Sequence, residues 1–226
     1  STPWDLTVMG LVYERIKEQF PKRRPGKRLE VSVETGPTGV RQRVQTSEGM
    51  QFLQLDGTAL IHVAQDAVVV NHLKPYPTWR EFLPLIHLGL EAYQQVAKPK
   101  GLRRVGLRYI NRVELPALSV ELLDYFEFLP FVGDRLPQDY RDFMVGVEFA
   151  YDSGKDGLRL QLTTSPRMPA EASSVMLDLE YFSAQPGCVA LGTVFEWIGQ
   201  AHDRIEDVFE ACITDRLRTL FVEVTS

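Results

Sequence analysis

The stretch from Gln51 to His72, QFLQLDGTALIHVAQDAVVVNH, decides the fold class of this chain. It holds three short apolar runs separated by two turn signals. Asp56-Gly57 is typical of a two-residue hairpin turn, and Gln65-Asp66 marks the second turn. Short runs rich in β-branched residues and joined by tight turns predict an antiparallel meander. The predicted strands are Gln51–Leu55, Ala59–Ala64 and Ala67–His72.

Helix signals lie on both sides of this meander. Upstream, apolar residues recur at helical spacing over Leu6–Phe20, and Pro21 ends the run. Downstream, Thr78-Trp79-Arg80-Glu81 matches a capping box and predicts a helix that continues to Ala97. The elements predicted between the first helix and the meander are a basic loop at Lys22–Arg28 and strands at Leu29–Glu34 and Val40–Thr46.

The second half of the sequence again runs from strands into a helix. Arg103–Glu114 is predicted as a long strand, and an apolar stripe predicts a long helix over Val189–Phe221. We therefore expect an α+β fold in which antiparallel sheet meanders are each followed by a long amphipathic helix. The elements predicted between that strand and that helix are a short helix at Val120–Phe126 and strands at Phe143–Asp152, Leu158–Thr164 and Ser174–Phe182.

Charge divides the chain into unequal halves. Residues 1–115 hold 17 Lys and Arg against 11 Asp and Glu, whereas residues 116–226 hold 8 against 19. One interpretation is two similar lobes: a basic N-terminal lobe at 1–116 with helix, strand meander, helix and strand, and an acidic C-terminal lobe at 117–226 with strands and the long helix. The other is one continuous domain in which the halves interleave. Two oppositely charged lobes would favour self-association that salt weakens.

Length and composition favour a soluble, cytoplasmic protein without a cofactor. A chain of 226 residues, 44% of them hydrophobic, can bury a core of its own. No apolar run approaches the roughly 20 residues of a membrane helix, so no membrane partner is expected. The first residues lack the basic start and apolar stretch of a secretory signal. Two cysteines without a CxxC pair and four histidines without metal-ligand spacing predict neither a disulfide framework nor a metal site.

A segment of the long strand, RVGLRYINR at Arg104–Arg112, resembles the signature of an uncharacterised, sporadically distributed prokaryotic protein family. Three further segments are similar to that family, in the same order, so the resemblance covers most of the chain after Met50. It implies a shared core and an apolar strand ahead of the first helix, and no established activity. The further segments are Tyr76-x-x-Trp79-x-x-Phe82, Met176–Tyr181, and Ala201-His202-Asp203 leading to Phe209 and Ile213-Thr214-Asp215.

Two arginines of this strand form the first candidate site. Side chains alternate along a strand, so Arg108 and Arg112 share one face, and Asp178 and Glu180 share a face of another strand. We expect the first strand to be central, where its arginines need partners. If the two strands are neighbours, a ladder from both arginines to both carboxylates would supply them. Loss of Arg108 from such a buried ladder would cost about 3–5 kcal/mol.

The alternative for the same strand is an anion-binding site. Arg108 and Arg112 would then bind phosphate or carboxylate, with Tyr109 and Asn111 as hydrogen-bond donors. A further alternative places Mg²⁺ on Asp178 and Glu180 together with an acidic residue of the last helix. We expect the ion-pair network rather than either alternative, because two arginines on one face of a buried strand are costly unless they are paired.

Basic residues of two loops form a second candidate site. If the loops converge, their side chains would bind the phosphates of a nucleic acid or nucleotide. The alternative is that both loops are simply solvated, and no aromatic platform or recognition helix accompanies them. The residues are Lys22, Arg23, Arg24, Lys27, Arg28, Lys98, Lys100, Arg103 and Arg104.

Three classes of function remain open, and no catalytic motif decides between them. His202 lies between Ile198 and Ile205 on the apolar stripe of the last helix, which predicts a packing residue rather than a general base beside Asp203. We expect a non-catalytic interaction or accessory module that acts in a protein complex or as a homo-oligomer. The alternatives are a nucleic-acid or nucleotide-binding accessory protein and an enzyme with a dispersed active site.

Overall fold

The computed structural model describes residues 5, 7–36, 39–116, 121–138, 142–164 and 174–221, with side chains described outside 28–47. The chain divides into two compact units, Ser1–Lys100 and Gly101–Ser226. Each unit contains one four-stranded antiparallel sheet with a 19-residue helix after it, so the predicted α+β class is confirmed. Among the described residues, no helix combines the length and apolar character that crossing a membrane requires.

The first unit contains, in chain order, α1 (Thr7–Ile16), β1 (Lys22–Gly36), β2 (Gly39–Leu53), β3 (Ala59–Ala64), β4 (Ala67–His72) and α2 (Trp79–Ala97). Its strands pair in the order β1-β2-β3-β4, which confirms the predicted meander. Phe52, Ile61 and Val63 from the sheet pack with Val12 of α1 and Tyr93 of α2 in one buried cluster. The core of this unit is therefore the layer between the sheet and its two helices.

The predicted cap is present in this unit, and the chain turns at Asp56-Gly57, but the connection from Leu53 to Ala59 is longer than the predicted two-residue turn. Asp56 Oδ1 accepts a hydrogen bond from the Thr58 N–H at 3.0 Å, and Gly57 has a φ of 77°, which favours glycine there. The Thr78 N–H donates to Glu81 Oε2 at 2.9 Å. This capping-box bond holds the pKa of Glu81 below its ordinary value and starts α2 at the predicted place.

The basic loop predicted at Lys22–Arg28 is wrong, because these residues form the first half of β1. The pairing of β1 with β2 runs without interruption from Lys22 opposite Leu53 to Gly36 opposite Gly39. The strands predicted at 40–46 and 51–55 consequently merge into β2. Pro25-Gly26 suggests a loop in the sequence, but β1 is an edge strand, where proline is tolerated.

A buried histidine explains two glycines in the neighbouring strands. His62 in β3 is 7% exposed, and its ring lies close to the backbone of both Gly26 and Gly49. A Cβ at Gly49 would lie 2.6 Å from His62 Nε2 and 2.4 Å from the carbonyl oxygen of Val63. Only glycine allows β2 to approach β3 this closely.

The second unit contains, in chain order, β5 (Gly106–Glu114), β6 (Met144–Tyr151), β7 (Asp156–Thr164), β8 (Ser174–Ser183), α3 (Val194–Cys212) and α4 (Asp215–Arg218). Its strands pair in the order β5-β8-β7-β6, and α3 packs on β8 and β5. The expectation that β5 is a central strand is therefore wrong: β5 and β6 are the two edges of this sheet.

The single C-terminal helix predicted over Val189–Phe221 is also wrong, because the chain leaves the helix after Cys212. Ile213 adopts extended backbone angles and forms an isolated β-bridge with Phe126. The Thr214 N–H then donates to the carbonyl oxygen of Tyr125 at 3.1 Å. These backbone bonds replace the helical ones, so the apolar stripe continues in sequence while α3 stops and α4 begins.

Candidate functional site

One face of the second sheet carries an ion pair that the sequence predicts between β5 and β8. Arg108 Nε donates to Asp178 Oδ1 at 2.8 Å, and its Nη2 donates to Oδ2 of the same carboxylate. The hydrogen bond to Asp178 raises the pKa of Arg108 above its ordinary value. The Arg108 side chain is nevertheless 54% exposed. The pair therefore lies at a surface and not in a core.

A second charged group on this face is centred on Glu180. Its carboxylate accepts hydrogen bonds from Arg104 Nη2 at 2.6 Å and from Arg159 Nη1 at 3.3 Å. Both guanidinium groups also lie over the ring of Phe182, 4.8 and 5.4 Å from its centroid. Arg159 also donates to Glu148 Oε2 at 3.2 Å. Glu180 is thus neutralised by two arginines that the predicted ladder did not include.

Arg112 does not join this network, contrary to the predicted ladder. Its register places it opposite Met176, two residues beyond the position that faces Asp178. Arg112 Nε lies 3.8 Å from Glu114 Oε1 and has no hydrogen-bond partner among the described residues. Asp178 is instead bound by Arg108, which lies two residues from Ile110 on the other side, and Arg112 is left beside Glu114 of its own strand.

Arg108→Ala is expected to lower the free energy of unfolding by about 1 kcal/mol or less, because solvent screens a half-exposed ion pair. Urea unfolding measures this change. Arg216→Ala is a matched control, since it removes an exposed pair with Asp124 in the same unit. If Arg108→Ala lowers the free energy of unfolding by about 3 kcal/mol, or if it aggregates while Arg216→Ala does not, the pair behaves as a buried ion pair and this expectation is wrong.

The other face of β5 holds Tyr109, which contacts α3. The Tyr109 hydroxyl lies 3.1 Å from His202 Nδ1, and His202 Nε2 lies 4.0 Å from Glu206 Oε2. Asn111 Nδ2 donates to the carbonyl oxygen of Leu177 at 3.3 Å. Tyr109 and Asn111 are therefore engaged on the helix side of the sheet, away from the face of Arg108. The sequence predicts His202 as a packing residue, and the structure adds a polar contact to that packing.

The predicted basic site divides between the two units. Lys22 donates to the carbonyl oxygen of Leu55, Arg23 lies 5.1 Å above the ring of Tyr13, and Arg24 Nε donates to Gln51 Oε1 at 2.8 Å. These three cations therefore have contacts within the first unit. Lys27, Lys98 and Lys100 also belong to that unit and are exposed, Arg28 lies outside the described side chains, and Arg103 and Arg104 belong to the second unit.

A buried carboxylate in the second unit is absent from the sequence predictions. Asp156 is 8% exposed and accepts hydrogen bonds from the Tyr181 hydroxyl at 3.1 Å and from Trp197 Nε1 at 3.1 and 3.2 Å. Burial, and next the charge of Asp156, raise the pKa of Tyr181 above its ordinary value. Asp156 thereby joins β7, β8 and α3. Its position in a Gly-Lys-Asp-Gly turn gives no sign of burial, because both donors lie far away in sequence.

The outer strand β6 exposes apolar side chains at the edge of the second sheet. Met144 is 71% exposed, Val147 37% and Phe149 43%. The strand has one charged residue, Glu148, and Arg159 Nη2 lies 3.2 Å from its carboxylate. An edge of this composition lacks the charges and prolines that usually discourage further pairing.

The hydrogen-bonding groups of β6 that point away from the sheet follow from its register. The Thr164 N–H donates to the carbonyl oxygen of Phe143 at 3.2 Å, and these two residues continue the β6–β7 pairing by one step. Bonded pairs alternate in an antiparallel ladder, so every second residue from Phe143 bonds to β7. The residues between them direct both N–H and C=O outward. These residues are Met144, Gly146, Glu148 and Ala150.

Three of the four segments that carry the family resemblance meet in the second unit, and the fourth, Tyr76–Phe82, belongs to the first unit. Arg104–Arg112 lies in and before β5, which pairs with Met176–Tyr181 of β8, and Tyr109 contacts His202 of α3. Within the described part of the chain, no three or more His, Cys, Asp or Glu side chains are grouped to hold a metal ion. Comparisons with protein-family models, curated proteins and solved structures give no match to this chain.

Proposed function

We propose that this protein is a cytoplasmic, non-catalytic interaction module that acts in a protein complex or as a homo-oligomer, and that β6 is the edge by which it associates. The contrast between β6 and the other three sheet edges carries the proposal. β1 opens with Lys22–Arg28, which holds five Lys or Arg and a proline. β5 presents Arg108, Arg112 and Glu114, and β4 is packed by α2. Among the described side chains of these edges, β6 exposes three large apolar residues, Met144, Val147 and Phe149, whereas β5 exposes one, Ile110. This composition suits strand addition at β6.

The alternative functions receive less support from the contacts. Three of the candidate nucleic-acid-binding cations, Lys22, Arg23 and Arg24, are engaged with neighbours in their own unit. The Tyr109–His202 contact joins a strand to the helix packed on it, which suits a structural brace better than a general base. Membership of the prokaryotic family belongs to the same proposal and is supported by the meeting of three of its four similar segments.

Ala150→Pro is expected to abolish association and leave the fold intact. Its N–H points away from β7, so proline removes a donor at the outer edge and no bond inside the sheet. Ile110→Pro is the matched control. The Val105–Ser183 bond (Ser183 N–H to Val105 O, 2.9 Å) shows by the same alternation that the Ile110 N–H points away from β8, on the opposite edge. Light scattering of both variants and wild type, with circular dichroism for folding, measures the difference.

Association through β6 is expected to persist at high salt, because backbone hydrogen bonds and apolar contacts are little screened. This separates it from attraction between the basic and acidic halves, which salt would weaken. A role for β6 would be contradicted if Ala150→Pro and Ile110→Pro lost association equally. It would also be contradicted if Ala150→Pro associated as the wild type does. The same pair of variants, compared in co-purification from native extract, tests whether other proteins use this edge.

A further inference from the structure

We infer that the partner at β6 is a second copy of this chain, paired antiparallel so that Val147 lies opposite the partner's Val147. This inference rests on the proposed function and names the partner for it. The pairing would join two four-stranded sheets into one sheet of eight strands. Three independent features of β6 point to this register: its backbone groups, its apolar side chains and its single charge.

The backbone groups restrict which registers can form. Outward N–H and C=O groups sit on alternate residues, so two copies bond only when these residues face one another. A two-fold axis at Val147 satisfies this requirement: Gly146 then faces the partner's Glu148, and Met144 faces the partner's Ala150. Every outward group from Met144 to Ala150 finds a partner. A register shifted by one residue would leave these groups facing residues that are already bonded to β7.

In this register, the apolar side chains of β6 lie opposite apolar side chains of the partner's β6. Val145, Val147 and Phe149 lie on the same face as Leu158, Leu160 and Leu162 of β7, which are buried. Val147 and Phe149, however, remain 37% and 43% exposed. With the axis at Val147, the two valines meet and each Phe149 meets the partner's Val145. The apolar face of one sheet would then continue into the other.

The charge of β6 excludes the closest competing register. An axis at Glu148 gives an equally long pairing, but it places Glu148 opposite the partner's Glu148. Like charges directly opposite each other destabilise a strand pair. An axis at Gly146 avoids this but loses contacts at one end, because the strand begins at Met144. A two-fold axis at Val147 therefore gives a long strand pairing without placing the two Glu148 carboxylates opposite each other.

Disulfide trapping tests this register. Residues that meet on the axis in a non-hydrogen-bonded pair have Cα atoms about 4.5 Å apart, within the range for a disulfide. Val147→Cys in a Cys188→Ser chain should therefore form a covalent dimer under mild oxidation. Cys188 is exposed and must be removed, whereas Cys212 is buried and burial raises the pKa of its thiol to about 11.

Val145→Cys in the same background is the matched control. It lies on the same face, but the two copies of residue 145 would be about 13 Å apart, so cross-linking should be at least about tenfold slower. Mixing Val145→Cys chains with Phe149→Cys chains should restore it. Equal cross-linking of Val147→Cys and Val145→Cys overturns the register. No cross-linking in an oligomer that Ala150→Pro still dissociates also overturns it but leaves the proposed function standing. No cross-linking in a monomer overturns the second copy as partner, and equal recovery of other proteins by wild type and Ala150→Pro from native extract then removes the proposed function as well.

Discussion

Asp156→Ala should lower the free energy of unfolding by about 3–5 kcal/mol, because it leaves two buried donors without an acceptor. The Tyr181 hydroxyl and Trp197 Nε1 both donate to this carboxylate, and both residues are buried. Urea unfolding followed by fluorescence, to which Trp197 contributes directly, measures the loss.

Two control variants distinguish the loss of the hydrogen-bond acceptor at Asp156 from other effects of substitution. Asp156→Asn keeps one oxygen that can accept from Trp197, so its loss should be clearly smaller than that of the alanine variant. Asp203→Ala removes an exposed carboxylate on α3 and should unfold with the wild type. If Asp156→Ala unfolds at the wild-type urea concentration, the carboxylate does not hold β7, β8 and α3 together.

Gly49→Ala should destabilise the first unit by about 2–4 kcal/mol, because the added methyl group cannot fit between two strands. Its Cβ would lie 2.4 Å from the carbonyl oxygen of Val63, a backbone atom that moves only if β2 separates from β3. The ring of His62, 2.6 Å away, blocks the other direction. Hydrogen exchange should show faster exchange of the β2 and β3 amides and unchanged exchange in β7 and β8.

Gly10→Ala is the matched control in the same unit. Gly10 lies in α1, and no atom within 4 Å would contact its Cβ. Alanine also favours a helix over glycine, so this variant should be more stable than wild type by about 0.5–1 kcal/mol. Wild-type stability of Gly49→Ala would mean that β2 and β3 do not approach each other as closely as described.

Local signals in the sequence were enough to predict the elements whose stability is local. The Asp56-Gly57 turn and the Thr78–Glu81 cap form where the residue types require them, because both depend on neighbours in sequence. The Lys22–Arg28 segment and the helix end at Cys212 depend on distant partners. β1 extends because β2 continues opposite it, and α3 stops because the backbone on either side of Ile213 bonds the backbone on either side of Phe126. No window of sequence contains that information.

For the candidate site, the sequence could predict only which side chains share a face of a strand. Alternation correctly placed Arg108 with Asp178 and separated both from Tyr109. It could not exclude Arg112, because Arg108 and Arg112 both lie two residues from Ile110, which faces Asp178, and alternation does not decide which arginine binds it. Asp156 was missed because its partners are distant in sequence. Its donors lie 25 and 41 residues away, and only the packing of α3 on β8 brings them together.

The binding of Glu180 by two arginines affects how the sequence can evolve. Arg104 and Arg159 both neutralise its carboxylate, and they come from different parts of the chain. A lineage that loses one arginine keeps a cation at Glu180 and over Phe182, whereas a lineage that loses both leaves a carboxylate that is 17% exposed without either of these cations. Each arginine is thus free to drift while the other is retained. Among descendants of this chain, selection acts on the pair of positions rather than on either position alone.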